Sequence, residues 1–387
     1  MLVTQIYEIM NDVTSEILGD SAVVNEDLSN IVDIGTEIFG ATSVDNFVRS
    51  LVDKVGKCVF VARPYAGSAP SVLMDAWEFG SVLQKISADL PDATENESWS
   101  LEDGTSYDPN VFYSPKVSAK FFSKRVTFEV PMSFTELQVK SAFNSAEELN
   151  SFISMLYNAV DKAMTVKLDA LVMRTINAMT GETIHAEYGA ANLNSKSTVK
   201  AVNLLYEYNN GPNYGQTALT AAKALTNPDF IRFAVKQMNI IRARMGKISD
   251  LFNIGGKARF TPVDLMKTVM LSDFKESADV YLQSDTFHDE YTRLAPADVV
   301  PYWQGSGTEY AFNSISKIDV VTPSGDTVQA TGILAVMFDR DALGVANMNR
   351  RTTSNYNPKA EFYSNWAKMD AGYFADLNEN FIVFFIA

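Results

Sequence analysis

The stretch SAEELNSFISMLYNAVDKAMTVKLDALVMRTINAMTG, residues 145–181, decides the fold because it predicts one very long amphipathic helix. Ser145 and Glu148 have the spacing of a capping box, and Gly181 is a residue type that commonly ends helices. At about 1.5 Å per residue the helix would be roughly 50 Å long. Its apolar residues recur every three or four positions, which predicts one buried stripe: Leu149, Phe152, Ile153, Leu156, Val160, Met164, Leu168, Leu171, Val172, Ile176 and Met179. We call residues 145–180 the spine helix and expect the remaining elements to pack on it.

Composition indicates a globular protein with more than one subdomain. The chain has 387 residues, of which 47% are hydrophobic and 20% are charged. Its net charge of −15 argues against a nucleic-acid binder that works through a broad basic face.

The charges are unevenly distributed along the chain. Residues 1–50 contain nine acidic residues and a single basic one, Arg49. By contrast, seven basic residues lie close together with only Asp250 opposing them: Arg232, Lys236, Arg242, Arg244, Lys247, Lys257 and Arg259. Such segregation suits surfaces that meet copies of the same chain, although solvated faces would give the same pattern.

Cysteine content and hydropathy limit the location of the protein. One cysteine, Cys58, excludes an intramolecular disulfide and a four-thiolate zinc site. The N-terminus lacks the pattern of a signal peptide, and no apolar run reaches the length of a membrane span. We therefore expect a protein that is made in a cytoplasm and has no membrane partner.

The pattern along the chain predicts an order of segments around the spine helix. Residues 1–56 read as a discontinuous helical arm. Residues 57–90 read as a long hairpin that begins with the strand KCVFVAR and returns through a segment with a two-residue alternation at residues 82–87. After a polar, acidic linker, strands within residues 116–134 lead into the spine helix. Residues 213–341 then read as an inserted α/β subdomain, in which a helix at Pro228 to Arg244 starts behind Asn227. The apolar runs ILAVMF and FIVFFI predict buried strands, the latter beside the spine helix.

No motif predicts a catalytic, cofactor or metal site. The two histidines, His185 and His288, do not form a helical His-x-x-x-His pair. His288 with Asp289 and Glu290 could hold a metal, but a solvated loop is the better interpretation. Asp339-Arg340-Asp341 is more typical of an ion-pair knot than of an acid/base pair. The chain lacks a Walker motif, a GxGxxG motif and a nucleophile elbow. Aromatic residues near the C-terminus could stack bases, but packing fits the acidic balance better: Tyr356, Phe362, Tyr363, Trp366, Tyr373 and Phe374.

Three stretches carry a resemblance to a known family: DNFVRSLVDKVGKCVF, FISMLYNAVDKAMTVKLDALV and NYNPKAEFYSNWAKMDAGYFADLNENFIVFF. Together with the order of segments, they resemble the Hong Kong 97-like major capsid proteins of tailed bacteriophages, most of all those of small short-tailed phages of the phi-29 type. The resemblance implies an α+β fold with an N-terminal arm (1–56), an extended loop (57–90), a peripheral domain (91–212, with the spine helix at 145–180, and 342–387) and an axial domain (213–341).

Some family members join a lysine of the loop to an asparagine of another subunit. Lys85 is a candidate lysine, but nothing in the sequence identifies its partner, so this bond is not predicted.

The resemblance implies a structural, non-enzymatic protein without a cofactor. Its copies would form pentamers and hexamers of an icosahedral shell around double-stranded DNA, in the host bacterial cytoplasm, with a scaffolding protein and a portal as assembly partners. Two alternatives stay open, namely the shell of an encapsulin-like nanocompartment and a soluble enzyme. The spine helix also gives a prediction of its own, that a charge at Leu156 or Leu168 would unfold the subunit.

Overall fold

The fold comes from a computed structural model that describes residues 3–18, 24–25, 29–41, 69–74, 83–88, 90–91, 93, 95–108, 110, 112–114, 116–142, 146–189, 192–283, 296–303, 318–321 and 325–387. Contacts divide the chain into two compact units. The first unit comprises Met1–Glu78, Arg125–Met173 and Val345–Gly372. The second unit comprises Phe79–Lys124, Arg174–Gly344 and Tyr373–Ala387.

The spine helix is present and is longer than the sequence predicts. It spans Ala146–Tyr188, 43 residues, or about 65 Å at 1.5 Å per residue. The predicted capping residue Ser145 lies outside the described residues. Apart from Phe152, which is half-buried, every residue of the predicted stripe is buried, including Leu156 and Leu168. The helical periodicity therefore identified the core-facing side correctly.

The prediction that Gly181 ends the spine helix was wrong. The helix continues to Tyr188, and Gly189 follows it at φ +56°, with its N–H donating to the carbonyl of His185 at 2.8 Å. A Cβ at Gly181 would lie only 2.4 Å from Cγ2 of Val320. Gly181 is thus needed for close packing rather than for backbone conformation, and Gly189 takes the left-handed position that favours glycine.

The first unit contains a four-stranded sheet in the order β1 (Leu73–Met74), β11 (Leu343–Asn357), β12 (Phe362–Ala375) and β4 (Arg125–Thr135). Strand β12 pairs antiparallel with β4 along its length, from Phe362 opposite Thr135 to Gly372 opposite Arg125. The ring of Phe134 stacks on Tyr363 at 5.9 Å and meets the edge of Phe152, on the spine helix, at 5.8 Å. The described elements are α1 (Val3–Leu18), α2 (Ile31–Ala41), β1 (Leu73–Met74), β4 (Arg125–Thr135), α3 (Glu136–Ala142), the start of α4 (Ala146–Tyr188), and most of β11 (Leu343–Asn357) and β12 (Phe362–Ala375).

The second unit is built on a five-stranded sheet in the order β5 (Ala201–Asn203), β13 (Phe381–Phe385), β10 (Ile333–Asp339), β6 (Met266–Leu271) and β7 (Asp298–Val300). Its described elements are β2 (Leu83–Ala88), β3 (Val117–Phe122), the end of α4, β5 (Ala201–Asn203), α5 (Leu204–Asn210), α6 (Ala221–Ala224), α7 (Pro228–Met245), β6 (Met266–Leu271), α8 (Ser272–Gln283), β7 (Asp298–Val300), β8 (Ile318–Val321), β9 (Thr327–Ala330), β10 (Ile333–Asp339) and β13 (Phe381–Phe385). The helix predicted behind Asn227 is confirmed, because the Asn227 side chain accepts a hydrogen bond from the N–H of Phe230 at 2.9 Å.

The two apolar runs near the C-terminus are confirmed as buried strands. β10 and β13 pair antiparallel, and every residue of both strands is buried. β13 also pairs in parallel with β5, so it lies inside the sheet rather than at an edge. Its Phe385 ring meets Tyr188, at the end of the spine helix, at 5.8 Å.

The alternating pattern at residues 83–87 is confirmed as a strand. In the described part of the chain β2 pairs antiparallel with β3, from Leu83 opposite Phe122 to Ala88 opposite Val117. The partner strand predicted at residues 57–63 lies outside the described residues. The acidic stretch interpreted as a linker is therefore the connection between the two strands of a hairpin, which we call the β2–β3 hairpin (residues 83–122).

Candidate functional site

A cluster of charged side chains holds the β2–β3 hairpin against the C-terminal part of the second unit. The Nζ of Lys85 lies 2.8 Å from Oε1 of Glu379, 3.1 Å from Oδ2 of Asp376 and 3.1 Å from the carbonyl oxygen of Asp341. The Nζ of Lys120 lies 2.8 Å from Oδ1 of Asp376. All three groups that Lys85 contacts lie far from it in sequence, so these bonds fix the hairpin in the tertiary structure.

The position of Asp376 follows from the geometry of the hairpin. Lys85 and Lys120 are directly opposite each other in the β2–β3 register. Two like charges at opposed positions destabilise a strand pair. Because Asp376 contacts both ammonium groups, one through each carboxylate oxygen, it removes that repulsion. The backbone N–H of Asn378 also donates to Asp376 Oδ1 at 3.1 Å and fixes the carboxylate in its turn.

The two carboxylates of the cluster have opposite pKa shifts. Burial by itself would raise the pKa of Asp376, but the hydrogen bonds from Lys120, Asn378 and Lys85 lower it below the ordinary value. Burial raises the pKa of Glu379, and the charges of Lys85 and Arg259 do not cancel that effect. Arg259 Nε lies 3.5 Å from Glu379 Oε1, which is an ion-pair separation without a hydrogen bond. On acidification Glu379 therefore takes a proton before Asp376.

The cluster has the chemistry of a structural anchor. The Lys85 ammonium already bonds to two carboxylates and a carbonyl of its own chain. Sequence reasoning singled out Lys85 but missed Asp376 and Glu379. The signal that could have found them is the acidic turn DLNEN, residues 376–380, directly before the last strand.

The far part of the β2–β3 hairpin exposes large apolar side chains. Trp99 is 99% exposed, Phe112 87% and Tyr113 84%. On the strands themselves, Ile86, Val117 and Phe121 are each more than 60% exposed. Several large exposed apolar side chains on one element are typical of an interaction site. This hairpin is therefore the candidate interaction surface of the second unit.

The structure also locates other residues considered from the sequence. His185 Nε2 lies 3.5 Å from Oδ2 of Asp326, and burial raises the pKa of the neighbouring Glu182. Asp339 is buried, and its Oδ1 accepts a hydrogen bond from the N–H of Asp341, so it stabilises a turn. His288 and its acidic neighbours lie outside the described residues. Among the residues that the structure does describe, no three His, Cys, Asp or Glu side chains are grouped so that they could hold a metal ion.

Two of the C-terminal aromatic residues are fully packed, which confirms the packing interpretation for them. Tyr363 and Phe374 are buried. Tyr363 contacts Tyr356 with ring centroids 4.8 Å apart, and Phe374 contacts Phe122 at 5.2 Å.

Of the helices in the described ranges, none has an apolar stretch of the length that crossing a lipid bilayer requires.

Comparison with known proteins gives one match along nearly the whole chain. A family model described as Phi29-like phage major capsid protein matches residues 8–385. The chain is also similar to a solved capsid structure of Staphylococcus phage Andhra, with 10% identity, coverage of 84% of this chain and 86% of that chain, and a TM-score of 0.51. A structure of the head fiber and inner core protein gp22 of native bacteriophage P68 gives 9% identity, coverage of 84% and 86%, and a TM-score of 0.49. No curated protein sequence matches. The match to the Andhra capsid indicates a shared mixed helix-and-sheet fold.

Proposed function

This chain belongs to the Phi29-like phage major capsid protein family and forms the shell of a phage head, and from that premise we propose how it does so. Copies of the chain assemble as pentamers and hexamers of an icosahedral shell around double-stranded DNA. The family match over residues 8–385 is the observation that carries this proposal, because it includes both compact units.

The proposed parts of the subunit follow the family's Hong Kong 97-like organisation. Residues 1–56 act as the N-terminal arm, residues 91–212 and 342–387 as the peripheral domain, and residues 213–341 as the axial domain. Residues 57–90 belong to the extended loop. The pairing of β2 with β3 supports extending the C-terminal bound of the extended loop to Phe122, since the two strands and their connection form one hairpin.

The physical basis of assembly is the summation of many modest contacts. Each subunit exposes the apolar side chains of its β2–β3 hairpin, and burying them against neighbours contributes about 25 cal/mol per Å². In a closed symmetric shell, every copy repeats the same contacts, so small pairwise free energies give a stable particle.

Partners and chemistry follow from the same premise. A scaffolding protein and a portal take part in assembly in the host bacterial cytoplasm, and DNA is enclosed without sequence-specific binding. The net charge of −15 supports weak interaction between wall and genome, since like charges repel. The role is structural rather than enzymatic, and membership of a phage capsid family favours the phage shell over an encapsulin-like compartment.

Electron microscopy of the purified or bacterially expressed chain tests this function. Closed or polymorphic shells built of pentameric and hexameric capsomers are the expected result. A chain that stays monomeric under all assembly conditions, including crowding agents and co-expression with a scaffolding protein, would contradict it.

A further inference from the structure

We propose that α7 and the loop that follows it bind the phosphate backbone of duplex DNA. We call this part of the second unit the basic surface (residues 232–263). The contact does not depend on DNA sequence, and its few cations hold the genome to the wall only weakly. The proposal rests on the proposed function, because that function is what brings duplex DNA to the chain.

The basic surface has the opposite charge to the chain as a whole. From Phe230 to Val263 there are seven basic residues and a single acid, Asp250, whereas the net charge of the whole chain is −15. A polyanion is therefore repelled by most of the molecule and attracted by this segment. Duplex DNA is such a polyanion, with one negative charge per about 1.7 Å of its axis. The uneven charge thus selects the part of the subunit that DNA can approach.

Three of the seven basic side chains are exposed, namely those of Lys236, Arg244 and Lys247. Lys236 and Arg244 are separated by about 12 Å along α7 and by about 80° around its axis. The N–H of Lys247 donates to the carbonyl of Arg244 at 3.0 Å, so these two side chains start from the same turn. Phosphates of one DNA strand follow each other every 3.4 Å or so along the axis. The three cations therefore match a run of about four phosphates.

Ion pairs within the chain occupy two of the other basic groups. Arg232 Nη1 lies 3.5 Å from Oδ1 of Asp229, and Arg259 Nε lies 3.5 Å from Oε1 of Glu379. The side chain of Arg259 is only 17% exposed. These two guanidinium groups stabilise the fold of the second unit, and the exposed cations are the ones that can meet a phosphate.

The helix dipole explains only part of this charge. Arg242 and Arg244 lie in the last turn of α7, where basic residues offset the negative end of the dipole. That effect is confined to the last turn, so it does not account for Lys236.

The loop after α7 has a fixed shape. Ser249 and Arg259 exchange two backbone hydrogen bonds, at 2.9 and 3.0 Å. The side chain of Asn253 accepts a hydrogen bond from the N–H of Lys257 at 2.9 Å and donates one to its carbonyl at 2.7 Å. A surface that is already ordered loses little conformational entropy when it binds a ligand.

Exposed apolar residues beside the cations provide a way to distinguish DNA from an acidic protein. Ile248 is 55% exposed and Phe260 53%. A docking protein segment would bury such side chains at the core of its contact. Contacts to DNA phosphates depend instead on charge and hydrogen bonds. Replacing both apolar residues by serine should therefore leave DNA binding unchanged.

Fluorescence anisotropy with the unassembled full chain and a labelled duplex of about 30 base pairs tests the proposal. The logarithm of the binding constant should fall with the logarithm of salt concentration with a slope of about −2.7, roughly −0.9 for each of three phosphates. The variant that combines Lys236→Gln, Arg244→Gln and Lys247→Gln should bind at least about tenfold more weakly at low salt, with a slope near zero.

Two further variants serve as controls. Lys162→Gln, Lys167→Gln and Lys359→Gln together remove three exposed charges from the first unit and should bind the duplex as the wild type does. Ile248→Ser with Phe260→Ser should do the same. The proposal is wrong if the wild type does not bind DNA at low salt, or if the two triple variants bind equally. Loss of binding in the serine variant would assign the surface to an acidic protein and would also overturn it.

Acetylation of lysines in whole shells gives a measurement that needs no variant. Mass spectrometry compares shells with and without packaged DNA. Lys236 and Lys247 should be acetylated at least about threefold less in the DNA-filled shells, whereas Lys162 should react equally in both. Equal acetylation of Lys236 and Lys247 would contradict the proposal. A wild-type chain that binds DNA but never forms shells would instead count against the proposed function, so the two failures are distinguishable.

Discussion

The five-stranded sheet buries its apolar residues, whereas the β2–β3 hairpin exposes several of its own. In β13 the run FIVFF is buried at every position between β5 and β10. On the hairpin, Ile86, Val117 and Phe121 are each more than 60% exposed, although β2 and β3 pair from Leu83 opposite Phe122 to Ala88 opposite Val117. The sheet completes its core within one chain, whereas these side chains of the hairpin stay exposed and, in the function that we propose, are covered by a neighbouring copy. On that proposal, folding and assembly depend on different residues of the same unit.

The charged cluster lies where these two regions meet. Asp376 and Glu379 belong to the turn that leads into β13, and Lys85 and Lys120 belong to the hairpin. The cluster thus connects the buried sheet to the exposed hairpin, which we propose to serve assembly. Substitutions in the sheet, the turn and the hairpin should have decreasing effects on the stability of the isolated subunit.

The largest effect is expected in the sheet. Phe384→Ala removes a fully buried ring from β13 and should lower the free energy of unfolding by about 3–5 kcal/mol, because it leaves a cavity between packed strands. The matched control, Phe121→Ala on the hairpin, removes the same ring from a position that is 64% exposed. It should change stability by no more than about 0.5 kcal/mol. Denaturant unfolding measures both, and similar losses would contradict the comparison.

A smaller loss is expected at Gly332, which precedes β10. Its φ of +72° is unfavourable for other residues, and a Cβ there would lie 1.9 Å from the carbonyl oxygen of Ile386. Gly332→Ala should therefore destabilise the subunit by at least about 2 kcal/mol, from backbone strain and overpacking together. Gly325→Ala separates the two causes, since Gly325 has a φ of +93° but no atom within 4 Å of its added Cβ. If Gly332→Ala and Gly325→Ala lower the free energy of unfolding equally, backbone strain alone accounts for the loss at Gly332.

A substitution in the turn before β13 should lower the stability of the subunit by less than Phe384→Ala and by more than Phe121→Ala. The loss should also depend on pH. Asp376→Asn removes the charge that both lysines contact and should cost about 1–2 kcal/mol at pH 7. The pKa of Asp376 is lowered in the folded state, so its contribution is fully present above the ordinary value of about 4 and is lost as the pH falls through the folded pKa. The stabilities of wild type and variant should thus converge in acid. Asp103→Asn, at an exposed loop position, should show no such difference.

The sequence predicted the elements whose signal is local. The three- and four-residue period identified the buried side of the spine helix, the Asn227-Pro228 pair located the start of α7, and the run at residues 333–338 gave β10. Each of these depends on residues that are neighbours along the chain. Patterns of this kind can be read without knowing the tertiary structure.

The errors and omissions concern contacts between distant residues. In the sequence, Gly181 is a residue type that commonly ends helices. In the structure, its lack of a side chain leaves room for Val320, which lies far along the chain. The pairing of β2 with β3 spans a long acidic connection, and an acidic connection alone cannot be distinguished from a linker. The carboxylates that bind Lys85 lie at the other end of the chain for the same reason.

The central claim is that the hairpin serves assembly and not folding. The variant that tests it most directly combines Trp99→Ser, Phe112→Ser and Tyr113→Ser, three side chains that are each more than 80% exposed. Calorimetry and electron microscopy of the same preparation should show a melting temperature equal to that of the wild-type subunit and a loss of closed shells. Closed shells at the wild-type yield, or a subunit that no longer folds, would contradict the account.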